Sequence, residues 1–189
     1  ANHETGFALA SMRNKNLSRY YIQTSIHDKV EMWSDKRFWS ELKKRLPNEA
    51  SNRLITGPSI EKSIAPLRSF VAEPMKYGSM FLVGDAAHIV PPTGAKGLNL
   101  AFSDVYYLYN SLIAYYKDDN KDAVNQYSFL ALNRVWKTIR FSWWMTNTLH
   151  KFPDQTKFDQ KIQEAELEYL KNSVDAQKSL AENYVGLPY

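Results

Sequence analysis

Met80-Phe81-Leu82-Val83-Gly84-Asp85-Ala86-Ala87-His88-Ile89-Val90-Pro91-Pro92-Thr93-Gly94-Ala95-Lys96-Gly97-Leu98-Asn99 is the stretch on which the fold turns. Its apolar opening, Met80 to Val83, reads as a buried strand, and Asp85 follows at the carboxyl end. Pro91, Pro92, Gly94 and Gly97 then punctuate a turn. Leu100-Ala101-Phe102-Ser103-Asp104-Val105 begins a long helical pattern. The first amides of a helix have no intrahelical acceptor and carry partial positive charge, so they suit an electron-rich or anionic ligand. A carboxylate at the strand end suits a ligand hydroxyl. A polyol joined to an electron-poor ring that can become anionic satisfies both, which describes a flavin.

Working outward, Phe7 to Arg13 and Arg19 to Thr24 read as two strands joined by the polar turn Asn14-Lys15-Asn16, an antiparallel hairpin. Asp35 to Leu46 has helical spacing at Phe38, Trp39, Leu42 and Leu46, with Ser34 as cap and Pro47 beyond the end. Lys62 to Val71 reads as a strand kinked by Pro66. After Gly97 the chain reads as helix: Gly97 to Tyr116, Asp122 to about His150, Phe158 to Asn172 and Val174 to Asn183, with Pro153 as an interruption. The expected fold class is therefore α+β, with a mostly antiparallel sheet in a substrate-binding region and one strand contributed to a flavin-domain sheet. The expected division is 1–78, 79–117 and 118–189. No G-x-G-x-x-G turn occurs, so the adenine half of a dinucleotide has no evident seat in these residues.

With 189 residues, 44% apolar and 14% aromatic, the chain can bury a real core. Its net charge of +4 comes without a basic run of five or more, so nucleic acid is not an expected partner. The absence of cysteine excludes disulfides and thiolate metal sites, and no metal is expected. No apolar run approaches the roughly 18 residues a bilayer span needs, so a membrane is not expected either. Ala1 to Ser11 lacks a basic stretch followed by an apolar one, and the expected location is cytoplasmic. The opening Ala1-Asn2-His3-Glu4 starts in mid-pattern without Met, which suggests a piece of a longer polypeptide.

Four segments carry a resemblance: Ile64-Ala65-Pro66-Leu67-Arg68-Ser69-Phe70, the Gly84 to Asn99 stretch, Arg140-Phe141-Ser142-Trp143-Trp144-Met145-Thr146, and Ala181-Glu182-Asn183-Tyr184-Val185-Gly186-Leu187-Pro188-Tyr189. They resemble the class A flavoprotein aromatic hydroxylases, and within them the branch acting on 4-hydroxybenzoate. The likeness runs from Ala1 to Tyr189 but matches only the C-terminal half of such an enzyme, without its N-terminal Rossmann βαβ unit. It implies C-terminal helices completing an FAD-binding domain and a homodimer. The implied reaction uses FAD, NADPH and dioxygen to convert 4-hydroxybenzoate to 3,4-dihydroxybenzoate through a flavin hydroperoxide. Without the missing N-terminal half, this chain alone is expected to be inactive.

The resemblance also implies roles. Arg13 matches the arginine binding the substrate carboxylate, a natural task for a bidentate guanidinium, with Ser11 and Tyr21 completing that end. Tyr184 matches a member of a proton relay to the phenol, and Pro92 and Thr93 match backbone positions near the phenol oxygen. Asp85 matches the carboxylate on the ribityl chain. Leu98 and Asn99 match the helix-start amides facing the pyrimidine edge of the ring. Arg19 resembles an arginine near the flavin, and Arg68 one implicated in NADPH binding.

Each residue also has a plainer reading. Arg13 alone is a strand residue in solvent, Tyr21 alone is strand packing, and Asp85 alone is a turn residue. His88 is expected to be a structural hydrogen-bonder with no catalytic role. Lys96 reads either as a solvated charge or as part of the field near the flavin. Trp136, Trp143 and Trp144 read as core or subunit interface. Two rivals stand beside the main reading: a hydroxylase of another hydroxybenzoate, and a structural or dimerisation module.

Overall fold

The computed structural model describes residues 1–152 and 154–186. Pro153, expected as a helix interruption, and Leu187-Pro188-Tyr189, the end of the last family-like segment, lie outside them. The chain is α+β: small antiparallel sheets precede a run of long helices. It groups into two units, one of Ala1–Pro66 with Asn147–Glu168, the other of Leu67–Thr146 with Tyr169 onward.

In the first unit, β1 (Ala8–Asn14) and β2 (Leu17–Ile22) form the expected hairpin, with Ala8 opposite Ile22 and Ser11 opposite Arg19. The register slips between Met12 and Asn14, so Arg13 sits at a bulge. Helix α1 (Asp35–Arg45) is capped by the Ser34 side chain, which accepts the Arg37 amide. Leu42 and Arg45 form its buried face. The Arg45 guanidinium donates to the Gln23 carbonyl at 2.7 Å and to the Thr5 hydroxyl at 3.2 Å, holding the far end of the hairpin. Burial lowers the pKa of Arg45, with Glu41 3.8 Å away offsetting part of the cost.

The sequence reading stopped this region at Pro47. Instead Pro47 opens a further short helix, α2 (Asn48–Arg53), its carbonyl accepting the Ser51 amide. A proline is tolerated there because the first helical amides need no partner.

In the second unit the expected strand over Lys62 to Val71 shrinks to β3 (Phe70–Val71). Residues 54–69 carry no ladder, and Pro66 has no amide to donate to one. The expected strand at Met80 to Val83 likewise pairs only over two residues. There β4 (Lys76–Tyr77) and β5 (Met80–Phe81) make a tight hairpin. Then β6 (His88–Ile89) pairs antiparallel with β3.

Helices α3 (Gly97–Lys117) and α4 (Ala123–Leu149) pack over these pieces. The core there is Met75, Ala87, Leu100, Tyr127, Ala131 and Val135, joined by Phe81, Leu82 and Val83. The Tyr127 hydroxyl donates to the Leu82 carbonyl at 2.6 Å, just past the end of β5. Helix α5 (Lys157–Asn172) opens on a reciprocal cap in which Thr156 and Asp159 each take the other's amide. Its Gln163 donates to the Asn147 and His150 carbonyls, both at 2.8 Å. Helix α6 (Val174–Val185) starts on a Ser173 cap.

The tryptophans expected as one core or interface cluster divide. Trp136 and Trp143 are exposed at 49% and 64%, whereas Phe141 is buried and stacks on Trp144.

Candidate functional site

The hairpin gathers four of the residues singled out from the sequence. Ser11 faces Arg19 across the ladder, and Leu9 faces Tyr21, so Ser11, Arg19 and Tyr21 share one side of the sheet. Arg13, released from the ladder by the bulge, reaches back over that side and donates from Nη2 to the Tyr21 hydroxyl at 3.0 Å. The Arg19 guanidinium, and Arg13 after it, hold the Tyr21 hydroxyl below the usual phenol range. Two guanidinia, a phenol and a serine hydroxyl thus share this side of the hairpin; the charge of Glu61 acts on Arg19 from a distance, and among the described residues no ion pair ties a carboxylate to either guanidinium. That donor set suits an incoming carboxylate. Arg13 and Arg19 are exposed, so the cluster is open to a ligand.

In the second unit, Gly84 starts a single tight turn, Gly84–Ala86, with φ of 63° in the left-handed region that favours glycine. Asp85 lies exposed on it. A second tight turn, Pro92–Gly94, ends on Ala95 in a left-handed conformation and hands the chain to α3. Thr93 is fixed by the Thr146 hydroxyl at 2.9 Å, and the Pro92 carbonyl accepts the Ala95 amide at 2.9 Å.

The Leu100 amide is the first to find a helical acceptor in α3, the Lys96 carbonyl at 2.9 Å. Lys96 supplies no side-chain cap, so the amides of Gly97, Leu98 and Asn99 stand open at an exposed helix start. Open amides here, and a carboxylate on the neighbouring turn of the same unit, fit a flavin's pyrimidine edge and its ribityl hydroxyls. A Cβ on Gly97 would meet nothing within 4 Å, which leaves that approach clear. The sequence offers no G-x-G-x-x-G turn to cradle a pyrophosphate.

Lys96 is not the solvated charge that one reading of its sequence suggested. It is 6% exposed, and its ammonium donates to the Tyr184 carbonyl and lies 5.3 Å from the Tyr184 ring and 5.7 Å from the Phe141 ring. Burial, and then the charge of Arg134, lower its pKa. Its task in this geometry is to pin the end of α6 beside α3. Arg140 assists, donating to Asn183 at 2.8 Å. Tyr184 itself is half-exposed. A cavity of about 580 Å³ opens between α3, α4 and the end of α6; Asn99, Tyr107, Phe141 and Asn183 line it together with the cations Lys96, Arg134 and Lys137.

Arg68 is exposed just before β3. His88 has the structural place expected for it: it is 1% exposed, with Nε2 2.7 Å from Asp104 Oδ2. Asp104 escaped the sequence reading. It sits in a helical run where an acidic residue ordinarily faces solvent, and only its burial, at 0% exposure, reveals otherwise. Among the described residues no group of three or more potential ligands is placed to hold a metal, and no helix is long and apolar enough to cross a membrane.

Comparison with known proteins gives a consistent picture. A family model described as an FAD binding domain matches residues 1–142. The chain is 61% identical over 186 residues to a p-hydroxybenzoate hydroxylase of Acinetobacter baylyi, an alignment covering 98% of this chain and 46% of that protein. It is also 54% identical over 37 residues to a rifampicin monooxygenase of Streptomyces venezuelae, covering 20% of this chain and 8% of that one. The chain thus spans less than half the length of each of these relatives.

Proposed function

Because the chain belongs to the FAD-binding domain family, we propose that it is the substrate-clamping and flavin-ring-binding portion of an FAD- and NADPH-dependent monooxygenase. Its substrate is 4-hydroxybenzoate, hydroxylated to 3,4-dihydroxybenzoate. The observation that carries this reading is the cation-rich cluster of Ser11, Arg13, Arg19 and Tyr21, with Arg13 3.0 Å from Tyr21.

Each residue then has a task. Arg13 takes the substrate carboxylate in a bidentate grip, and Ser11 and Tyr21 complete that end. Held there by the carboxylate, the ring keeps its phenol at a fixed place. The backbone at Pro92 and Thr93 serves the phenol oxygen, and Tyr184 relays the phenol proton through a partner tyrosine that this chain does not contain. Asp85 binds the ribityl hydroxyls, and the amides of Leu98 and Asn99 stabilise negative charge on the pyrimidine edge, as oriented donors in a fixed site do. Arg19 adds positive charge beside the flavin, and Arg68 takes part in binding NADPH. When bound, FAD reduced by NADPH supplies the activation of dioxygen that the protein groups lack. Residues 1–78 serve the substrate, 79–117 the flavin ring, and 118–189 close the flavin site and dimerise a cytoplasmic enzyme.

Arg13→Ala in the full-length enzyme tests the clamp. It should weaken 4-hydroxybenzoate by about 2 kcal/mol, roughly 30-fold in Kd, since a charge-assisted pair is lost. The neutral 4-hydroxybenzamide should be indifferent to the same change. Equal effects on both ligands, or none on either, reject the assignment.

A further inference from the structure

Asp104 lies two turns into α3 from Gly97 and is wholly buried. One of its oxygens does all its work: Oδ2 accepts the Gly84 amide at 2.9 Å and lies 2.7 Å from His88 Nε2. Since Oδ2 already receives an amide hydrogen, the ring nitrogen facing it is assigned as a second donor. Three elements therefore meet at one atom. They are the Gly84–Ala86 turn that carries Asp85, strand β6 that carries His88, and helix α3 that carries Leu98 and Asn99.

The arrangement is poor as a device for stability alone. Asp104 Oδ1 and His88 Nδ1 find no hydrogen-bond partner among the described residues, and burying polar atoms unpaired is costly. An apolar residue would fill the same space without that cost. What an apolar residue cannot do is hold the Gly84 amide. Gly84 is buried in the left-handed region, and a Cβ there would stand 3.3 Å from Ala101 Cβ on α3, so turn and helix already touch.

We propose that Asp104 is a positioning residue for the flavin site: it locks the turn presenting Asp85 to the helix start presenting the Leu98 and Asn99 amides, so that acceptor and donors meet the ligand as one rigid set. The proposal rests on the reading of that turn as the flavin site. Asp104 touches no ligand and acts only through Gly84 and His88.

FAD titrated into apoprotein of the full-length enzyme, followed by flavin fluorescence, decides the matter. Asp104→Ala should weaken FAD binding tenfold or more. Asp104→Asn, which keeps an oxygen for the Gly84 amide, should recover most of the loss. Amide exchange of a peptide spanning residues 82–88 should accelerate in the alanine variant and stay near wild type in the asparagine one. If Asp104→Ala does not fold, Asp104→Glu, which shifts the oxygen by one methylene, carries the same tenfold expectation. A lowered melting midpoint with FAD affinity within twofold of wild type overturns the proposal. Asp85→Ala separates the two readings. If it too leaves FAD affinity unchanged, the flavin assignment of the turn has failed; if it weakens binding while the Asp104 variants do not, only the positioning role has.

Discussion

At Gly94 the margin is a single methyl group. A Cβ there would lie 2.7 Å from the Ser142 hydroxyl oxygen and 3.4 Å from Ser142 Cβ, and Ser142 is itself completely buried. The turn between Pro92 and α3 therefore passes α4 at a distance only glycine allows. Gly94→Ala should lower stability by about 1–2 kcal/mol, the usual range for overpacking a tight contact. Chemical denaturation would show it as a lower midpoint at unchanged slope, and an unaltered midpoint would contradict the contact. At the same scale, Asp85 stands out in the sequence by its place between a strand and a Pro/Gly-rich turn, whereas Arg13 stands out only through the family resemblance. The sequence does not reveal Asp104 or the burial of Lys96, because a charged residue gives no local sign of the distant partners that bury it.

Helix α1 shows what one element recruits. Asp35, in its first turn, accepts the Ser59 amide at 3.1 Å, the Ser59 hydroxyl at 2.7 Å and the Lys62 ammonium at 2.8 Å, tethering an otherwise ladder-free segment. The Lys62 bond first, then Ser59, hold its carboxyl down from 3.8 to about 2. A group whose folded pKa is depressed stabilises above its unfolded value, and the contribution fades as pH falls through the folded one. Residues 54–62 should therefore become sensitive to pepsin as pH drops from about 4 towards 2, and Asp35→Asn should be sensitive throughout with no pH step. A wild-type digestion pattern that is flat across this window would refute the tether. Long helices and the capped α1 were legible because period and cap residues are local signals. The strands were read too long because pairing is not local: a run with β character makes a ladder only as far as a partner accompanies it.

For the whole molecule, the family match spans the boundary between the two compact units, covering residues 1–142, while the p-hydroxybenzoate hydroxylase that the chain resembles is more than twice as long. The proposed substrate cluster and the proposed flavin-facing turn belong to different units, and the sequence has no G-x-G-x-x-G turn for a pyrophosphate. With FAD, NADPH and 4-hydroxybenzoate supplied, this chain alone should give no substrate-stimulated NADPH oxidation, whereas the full-length enzyme should. Stimulated turnover by the chain alone would overturn the reading of it as a portion of the enzyme. The aromatic side chains exposed on α4, Phe129, Trp136 and Trp143, are the surface to examine for dimerisation by sedimentation.

Sequence alone determined the N-terminal hairpin, the capped α1 and the succession of long helices after Gly97. Helical period, cap residues and the Gly84 to Asn99 turn are written in neighbouring positions, and neighbours are enough to specify them. Tertiary structure alone decided which charges are buried and what they hold. The Asp104 carboxylate reaches back 20 residues to the Gly84 amide, and the Lys96 ammonium reaches forward 88 to the Tyr184 carbonyl. Such bonds depend on packing that brings distant segments into contact, and a carboxylate or ammonium looks the same in a sequence whether water or protein surrounds it.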